Sequence, residues 1–214
     1  MTVLNVGAGT GNYEPRDRVV VAVEPSSTML AQRPVGAAPA VRAAAEALPF
    51  DDGAFDVAVA ILTVHHWRDP HAGLAELARV APRQVLVSWD REATLAFWLC
   101  RDYLPELEPH VAGQSAVDDL FRVLDVREVR PLLVPRDCAD GFLGAEWDRP
   151  EAYLDKTARG AMSGLALLDR DAVDAAMARL ARDVDDGTWH RRNAELNGLD
   201  AFDAGFRLVV AGAG

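Results

Sequence analysis

The sequence is poor in cysteine and has no long hydrophobic segment. Cys100 and Cys138 are the only cysteines in 214 residues, too few for a disulfide framework and without the paired spacing of a zinc site. No stretch approaches the roughly 18 uninterrupted apolar residues of a membrane-spanning helix. The first residues also lack the basic region and apolar run of a secretory signal. We therefore expect a cytoplasmic protein with reduced thiols, no metal site and no membrane association.

Positive charge is scarce as well. The chain carries 22 Lys and Arg residues against 33 Asp and Glu residues, for a formal net charge of −11, and Lys156 is the only lysine. Such a surface repels phosphate backbones, and no Lys/Arg run is present that would build a local basic groove. This disfavours a generic nucleic-acid role, so we expect no nucleic-acid partner and a small-molecule substrate.

What the sequence does contain is an alternation of short apolar strands and helical patterns. Half of the residues are hydrophobic, and apolar runs predict buried strands at residues 2–6, 19–23, 57–62 and 84–88. Between them, residues 26–32 follow Pro25 with a serine available as N-cap, and Leu74, Leu77, Ala78 and Ala81 recur at helical spacing before Pro82. Strands that alternate with helices predict an α/β fold with a doubly wound, mostly parallel sheet.

The second half is less regular. Helical patterns cover residues 94–104, 117–124 and 172–183, strands are predicted at 126–134 and 207–211, and residues 138–148 read as an acidic loop. No repeat, low-complexity tract or linker interrupts the chain. We therefore predict a single domain over residues 1–214, a length that is sufficient for a sizeable core.

A glycine-rich turn follows the first strand directly. Gly7, Gly9 and Gly11 alternate with Ala8 and Thr10, and glycines there allow a positive φ and a close approach of the backbone to a ligand. The position is the carboxyl edge of the sheet, where open α/β folds bind ligands. A dinucleotide fingerprint would need its third glycine at Asn12, so an NAD-dependent enzyme is disfavoured; a purely structural turn stays open.

An acidic residue ends the second strand. Glu24 precedes Pro25 and Ser26, and a carboxylate at this position can accept hydrogen bonds from both hydroxyls of a ribose. The ribose of either an adenosyl sulfonium or NAD would satisfy it, and a solvated glutamate at a strand end is the structural alternative.

The third motif makes a family resemblance specific. Residues 45–56 read Ala-Glu-Ala-Leu-Pro-Phe-Asp-Asp-Gly-Ala-Phe-Asp and lead into an apolar strand that is followed by His65, His66 and Trp67. Together with the glycine turn and Glu24, this order resembles the class I S-adenosylmethionine (SAM)-dependent methyltransferases, and more narrowly their ubiquinone/menaquinone-type branch. The resemblance covers residues 2 to about 90 and is diffuse beyond them.

The resemblance implies a fold, a cofactor and a site. The fold would be a Rossmann-like, seven-stranded sheet, with residues 1–90 as the cofactor-binding half and 91–214 as the substrate-binding and sheet-closing half. SAM would be the cofactor and S-adenosylhomocysteine the product, with the glycine turn passing under the amino-acid end. The implied cofactor-binding residues are Asn5, Gly7, Ala8, Gly9, Gly11, Glu24, Pro25, Ser26, Ala45, Glu46, Ile61 and Leu62.

The sequence also departs from the family pattern. An acid is usual at Asn5, an aspartate would align with Ala44, and Pro15 leaves space for only a very short first helix. The usual N-terminal helical segment, which covers the cofactor, is not present before the first strand. Three alternatives therefore stay open: a methyltransferase fold used for non-methylating chemistry, a subunit that needs a partner chain, and a homodimer that covers the missing segment.

His65 and His66 are the candidate catalytic residues. A neutral imidazole just after a strand end can take a proton from an oxygen or nitrogen nucleophile, although methyl transfer to a good nucleophile needs mainly alignment. A structural role for either histidine is the alternative. Trp98, Tyr103 and Trp147 could wall a substrate pocket or form plain core, and Asp90 follows a strand at the edge where acceptors bind.

Overall fold

The apolar runs of the first ninety residues form parallel strands. In this computed structural model, which describes residues 1–114, 116–160 and 162–213, they are β1 (Thr2–Val6), β2 (Val19–Val23), β3 (Ala40–Val41), β4 (Val57–Ile61) and β5 (Arg83–Trp89). With β6 (Val126–Pro131) and β9 (Phe206–Gly212) they build a seven-stranded sheet of order β3-β2-β1-β4-β5-β9-β6. The Rossmann-like, mostly parallel seven-stranded sheet is confirmed.

The register of the sheet brings three strand ends together. β1 pairs in parallel with β2 from Thr2↔Val19 to Val6↔Val23 and with β4 from Val3↔Val57. The strands run in the same direction, so the residues that follow them, Gly7, Glu24 and Leu62, emerge at one edge of the sheet. Strand order reverses next to β1, which places this edge at the switch point where open α/β sheets bind ligands.

Two helices follow β2 and β4 with side-chain caps at their first turns. α1 (Ser27–Ala31) is capped by Ser26, whose side chain accepts from the Met29 N–H, and it buries none of its residues. α2 (Pro70–Val80) is capped by Asp69, has Pro70 in its first turn and buries Gly73, Leu74, Leu77 and Val80. Both N-caps follow the usual preference for short polar side chains. Only α2 therefore adds a substantial layer to the core.

No helix connects β1 to β2 among the described residues. Residues 7–18 form turns instead of the very short helix that the sequence allowed for, because Pro15 has no N–H to continue one. This leaves part of the β2 face uncovered, and Val19 is 66% exposed.

The chain divides into two compact units. The first comprises Met1–Asp90, Ser115–Arg130 and Arg207–Gly214, and the second Arg91–Gln114 and Pro131–Phe206. The boundary at residue 90 coincides with the division expected between the two halves, but residues 115–130 and 207–214 return to the first unit. The single domain over 1–214 stays a prediction.

The first unit has one apolar core around the sheet. Its buried members come from β1, β2, β4, β5 and α2, together with α5 (Val117–Leu120) and β9. Leu4, Leu74, Leu77 and Leu86 are fully buried in it. The helix expected at 117–124 is confined to α5, and the strand expected at 126–134 ends at Pro131.

The second unit is built from short helices and a small sheet. Its α-helices are α3 (Arg91–Ala96), α4 (Glu108–Gly113), α6 (Lys156–Gly160), α7 (Arg170–Asp185) and α8 (Thr188–Arg192), and β7 (Val134–Pro135) pairs antiparallel with β8 (Ala201–Phe202). A π-type turn covers Leu99–Tyr103, and one-turn 3-10 segments cover Pro105–Leu107, Pro150–Leu154, Ser163–Leu167 and Ala194–Leu196. α7 starts two residues before the helix expected at 172–183 and ends two residues after it.

Aromatic side chains make the core of the second unit. Trp98 meets Tyr103, Tyr153 and Trp189 edge to face at centroid distances of 6.0, 5.4 and 5.1 Å, and its indole N–H donates to the Trp147 carbonyl at 2.8 Å. Trp98, Tyr103 and Trp147 are at most 2% exposed. They act as core in this unit, and the structure gives no support to the pocket-wall hypothesis.

Two further features concern the described helices and the two cysteines. None of the helices there is long and apolar enough to cross a membrane. Cys100 is buried and Cys138 partly buried, and both are free thiols; burial raises the pKa of the Cys100 thiol to about 12, so it is not a ready nucleophile.

Candidate functional site

The glycine turn after β1 lies in a backbone conformation that other residues rarely adopt. Gly7, Gly9 and Gly11 have φ angles of 73°, 54° and 91°. A Cβ on Gly7 would lie 2.0 Å from Oγ1 of Thr63, so the turn also touches the loop after β4. Glycine is required at Gly7 for two independent reasons, the positive φ and the contact.

Glu24 ends β2 with its carboxylate fixed by backbone donors. Its Oε2 accepts from the Gly9 N–H at 2.9 Å and its Oε1 from the Ser26 N–H at 2.8 Å, while the residue is 7% exposed. Each carboxylate oxygen keeps a further acceptor direction. The buried acid is therefore held in one orientation, with acceptor capacity left for a ligand.

A cavity of about 650 Å³ opens at this edge of the sheet. That is within the range of small-molecule sites. It is lined by Gly7, Ala8, Gly9, Thr10, Asn12, Tyr13, Val23, Glu24, Pro25, Met29, Ala43, Ala44, Ala45, Glu46, Ile61, Leu62, Thr63, His66, Trp67 and Arg68. Two carboxylates and one guanidinium are among these residues, so the cavity suits a ligand with a positive centre better than a pyrophosphate.

The end of β4 carries backbone strain where it meets the cavity. Leu62 has a φ of 50°, the sole positive value outside glycine in the described residues. Its N–H donates to the Val87 carbonyl of β5 at 2.9 Å, which holds the turn against the sheet. Strained residues of this kind concentrate at ligand sites, because the surrounding structure must stabilise them.

The segment that includes Ala45 and Glu46 is anchored to α2. Glu46 Oε1 accepts from the Asp69 N–H at 3.1 Å, and the Leu48 N–H donates to Glu76 at 2.8 Å. Arg79 donates to the Leu48 and Phe50 carbonyls at 3.1 and 2.8 Å. The ionised form of Glu76 is the one that accepts these hydrogen bonds best. Hydrogen bonds from Arg79 accordingly keep the pKa of Glu76 below its ordinary value.

The two histidines sit in different surroundings. His66 lines the cavity, whereas the His65 ring contacts the His66 ring at 4.0 Å and Trp89 at 6.3 Å, centroid to centroid, the latter in a T-shaped arrangement. Burial lowers the pKa of His65 to about 4, with the His66 charge adding to the effect. Burial also lowers the pKa of His66, against the opposing influence of Glu24. Both imidazoles are thus biased towards the neutral form.

Most of the expected cofactor residues meet in this one cavity. Gly7, Ala8, Gly9, Glu24, Pro25, Ala45, Glu46, Ile61 and Leu62 line it. Of the other expected residues, Asn5 is 3% exposed within β1, Gly11 lies one turn further along, and Ser26 caps α1 while donating to Glu24. The role of each residue in binding stays a prediction.

Several lining residues were not expected from the sequence. Thr63, Tyr13, Met29 and Arg68 lie outside the three motifs, and only the spatial closure of the edge brings them in. One sequence feature did point to Thr63, because it directly follows the predicted strand at residues 57–62. Asp90 pairs with Arg207 of β9 at 3.4 Å, so the acid after β5 is held within the first unit.

The residues present fit the cofactor that the resemblance implies. A buried carboxylate suits a ribose diol, a glycine turn leaves space for a ligand against the backbone, and an acid-lined wall suits a sulfonium and an amine. The described residues include no group of three or more His, Cys, Asp or Glu side chains placed to hold a metal.

Comparisons with known proteins show similarity to methyltransferases. A methyltransferase domain family matches residues 4–87, the stretch that contains the turn, Glu24 and the β4 strand. No curated protein sequence matches the chain.

Solved structures extend the similarity over the whole chain. A candidate methyltransferase from an antibiotic biosynthesis pathway of Anabaena variabilis is 30% identical with a TM-score of 0.89, over 99% of this chain and 90% of that one. A SAM-dependent methyltransferase from Thermotoga maritima (17% identity, TM-score 0.55, 99% and 81% covered) and a candidate methyltransferase from Bacillus halodurans (16%, 0.54, 99% and 91%) share the fold. The chain belongs to the class I SAM-dependent methyltransferases.

Proposed function

We propose that the chain transfers the methyl group of SAM to a small-molecule acceptor through an oxygen, nitrogen or carbon nucleophile. The observation that carries the proposal is the Glu24 carboxylate, buried at the cavity wall and held by the Gly9 and Ser26 N–H groups. Prior alignment of these acceptors lowers the cost of ordering them around a ribose.

Each lining group has a role in this proposal. Glu24 accepts from the ribose hydroxyls, Ala45 and Glu46 border the adenine, and the Gly7–Gly9 backbone passes under the amino-acid end. Ile61 and Leu62 line the methionine portion. Bound SAM supplies an electrophilic methyl on a positively charged sulfur, so the protein contributes binding, alignment and exclusion of water.

His66 is the better placed of the two candidate bases. It lines the cavity, and the Glu24 charge favours its protonated form, which partly offsets the lowering of its pKa by burial. A neutral His66 would be able to take the proton that an oxygen or nitrogen nucleophile of the acceptor gives up on methylation. His65, with a pKa of about 4, is the positioning group that supports the His66 ring.

The acceptor class rests on charge and on a relative. A net charge of −11 disfavours nucleic acid, and the 30% identical Anabaena variabilis protein is described as belonging to an antibiotic biosynthesis pathway. Both support a small metabolite or natural product as the acceptor, and a cytoplasmic location stays part of the proposal. The finer resemblance to the ubiquinone/menaquinone-type branch rests on the motifs of residues 2 to about 90.

A partner copy or companion chain is the second part of the proposal. Val19 and Val35, which border the region without a β1–β2 helix, are 66% and 108% exposed. A homodimer or a companion chain would cover these side chains.

The test is calorimetric titration of the purified chain with SAM and S-adenosylhomocysteine. We expect micromolar binding that falls about a hundredfold or more in Glu24→Ala, because charge-assisted hydrogen bonds contribute about 1.5–3 kcal/mol each. Glu128→Ala, on the exposed β6 strand, is the matched control and should bind as the wild type does.

Absence of binding by a folded wild-type chain would contradict the proposal. Binding that appears only after addition of a companion protein would favour the subunit alternative. Tight binding of SAM without methyl transfer to any acceptor would favour the non-methylating alternative, for which Ala44 in place of the usual acid is the supporting observation.

A further inference from the structure

A buried ion pair joins the loop between β1 and β2 to the segment that follows α1. The guanidinium of Arg33, which follows α1, pairs with Glu14, and their side chains are 7% and 8% exposed. They are the most deeply buried Arg–acid pair among the salt bridges of the described residues. Burying two charges costs free energy that the pairing only partly returns, so stability alone is weak grounds for such a pair.

The pair is hydrogen-bonded to the glycine turn and to Ala38. Arg33 Nη1 donates to the Gly9 carbonyl at 3.2 Å and Nη2 donates to the Ala38 carbonyl at 2.9 Å. Glu14 Oε2 accepts from the Ala38 N–H at 2.9 Å. The Gly9 N–H already donates to Glu24, so Gly9 is held on both sides, by the acid at the cavity wall and by Arg33.

The pair also lies close to the next glycine of the turn. A Cβ on Gly11 would lie 3.2 Å from Arg33 Nη1 and 3.3 Å from Glu14 Oε2. The turn therefore rests directly on the two charged groups. In a βαβ unit a helix usually supports such a turn, and the described residues 7–18 contain none.

We propose that Arg33 and Glu14 are positioning residues of the cofactor site, which hold the Gly9–Gly11 backbone in place of the missing helix. This role rests on the proposed function, since it concerns the amino-acid end of the same ligand. Neither residue lines the cavity; both act through the backbone of the turn.

The role predicts a selective loss of affinity. Arg33→Met should raise the Kd of S-adenosylhomocysteine about tenfold or more, because the turn under the amino-acid portion loses its support. 5′-Methylthioadenosine lacks that portion, and its Kd should change by about twofold or less. Calorimetric titration of both ligands measures the difference.

Two further variants separate positioning from folding. Arg33→Met leaves Glu14 buried without its partner, so the double variant Arg33→Met with Glu14→Leu replaces both charges by apolar groups, which restores folding stability in comparable buried pairs. It should fold and show the same selective loss. Arg122→Met, which removes the ion pair of an exposed arginine with Asp119, should leave both affinities unchanged.

The outcomes are distinguishable. A double variant that binds S-adenosylhomocysteine as tightly as the wild type, or variants that lose both ligands equally, would overturn the positioning role while leaving the proposed function intact. A wild-type chain that binds neither ligand would overturn the proposed function and this role with it.

Discussion

Gly7 combines two constraints in a single residue. Its φ of 73° lies in the region that favours glycine, and an added Cβ would meet the Thr63 side chain at 2.0 Å. Gly53 shares only the first constraint: its φ is 64°, and nothing lies within 4 Å of an added Cβ. The two glycines therefore form a natural pair for separating backbone strain from contact.

We expect Gly7→Ala to destabilise the fold by about 2–4 kcal/mol, the sum of backbone strain and overpacking. Gly53→Ala should cost only about 1–2 kcal/mol, because it adds strain alone. Urea unfolding followed by tryptophan fluorescence measures both free energies. Equal costs for the two variants would show that the Thr63 contact has relaxed.

His65 links the site to acid stability. Its pKa falls from 6.5 to about 4 on folding, chiefly because it is buried. Between pH 6.5 and about pH 4, His65 is protonated in the unfolded chain but mostly neutral in the folded chain. Stability from this group is therefore fully present above pH 6.5 and is lost as the pH falls from 6.5 to about 4.

His65→Leu should remove that part of the acid sensitivity. Between pH 7 and pH 4.5 the wild type should lose about 2–3 kcal/mol more folding free energy than the variant does. Urea unfolding at both pH values gives the comparison, and His110→Leu, at an exposed position, is the control. An unchanged pH dependence in His65→Leu would place the acid sensitivity elsewhere.

At the level of elements, α2 packs against the sheet and also holds the segment that carries the cavity-lining Glu46. It buries Leu74 and Leu77 against the sheet, and Glu76 and Arg79 on its opposite side hold the Leu48–Phe50 backbone. Its N-cap Asp69 contributes twice, since the side chain accepts from Ala72 at 3.0 Å and the N–H donates to Glu46 at 3.1 Å. The start of this helix and the cavity-lining Glu46 are therefore coupled.

Loss of the cap should weaken the helix measurably. Asp69→Ala removes the acceptor for the first turn and should cost about 1 kcal/mol of folding free energy. Asp69→Asn keeps a capping oxygen and should cost less than about 0.5 kcal/mol. Chemical denaturation of the two variants tests this, and a loss in Asp69→Asn as large as in Asp69→Ala would argue against capping as the cause.

Across the whole molecule, the regular elements of the first unit were predictable from sequence, whereas the short elements of the second unit were not. The first unit carries a parallel sheet, and its strands were predictable because strands buried on both faces read as continuous apolar runs. The second unit is made of short helical segments, and the helix expected at 94–104 is divided between α3 and a π-type turn. Short elements are stabilised mainly by tertiary packing, here around Trp98, so local pattern predicts them poorly.

At the edge of the sheet where the cavity opens, some residues were predictable from sequence and others were not. The glycine turn and Glu24 could be predicted from sequence because both follow strands whose ends a parallel sheet must bring together. Arg33 could not, since its pairing with Glu14 spans 19 residues and depends on a loop that takes no regular structure. Nor could the unequal environments of His65 and His66, which differ only in what packs around them.

The sequence by itself determined the main strands and helices of the first ninety residues, the methyltransferase family and the glycine turn and acid at the strand ends, because periodicity, glycine spacing and strand-end residues are local properties. Only the tertiary structure decided that turns replace the first helix, that Thr63 closes on Gly7, and that a buried ion pair supports Gly9. Those features arise from contacts between segments distant in sequence, whose free energies depend on burial and geometry that no local pattern records.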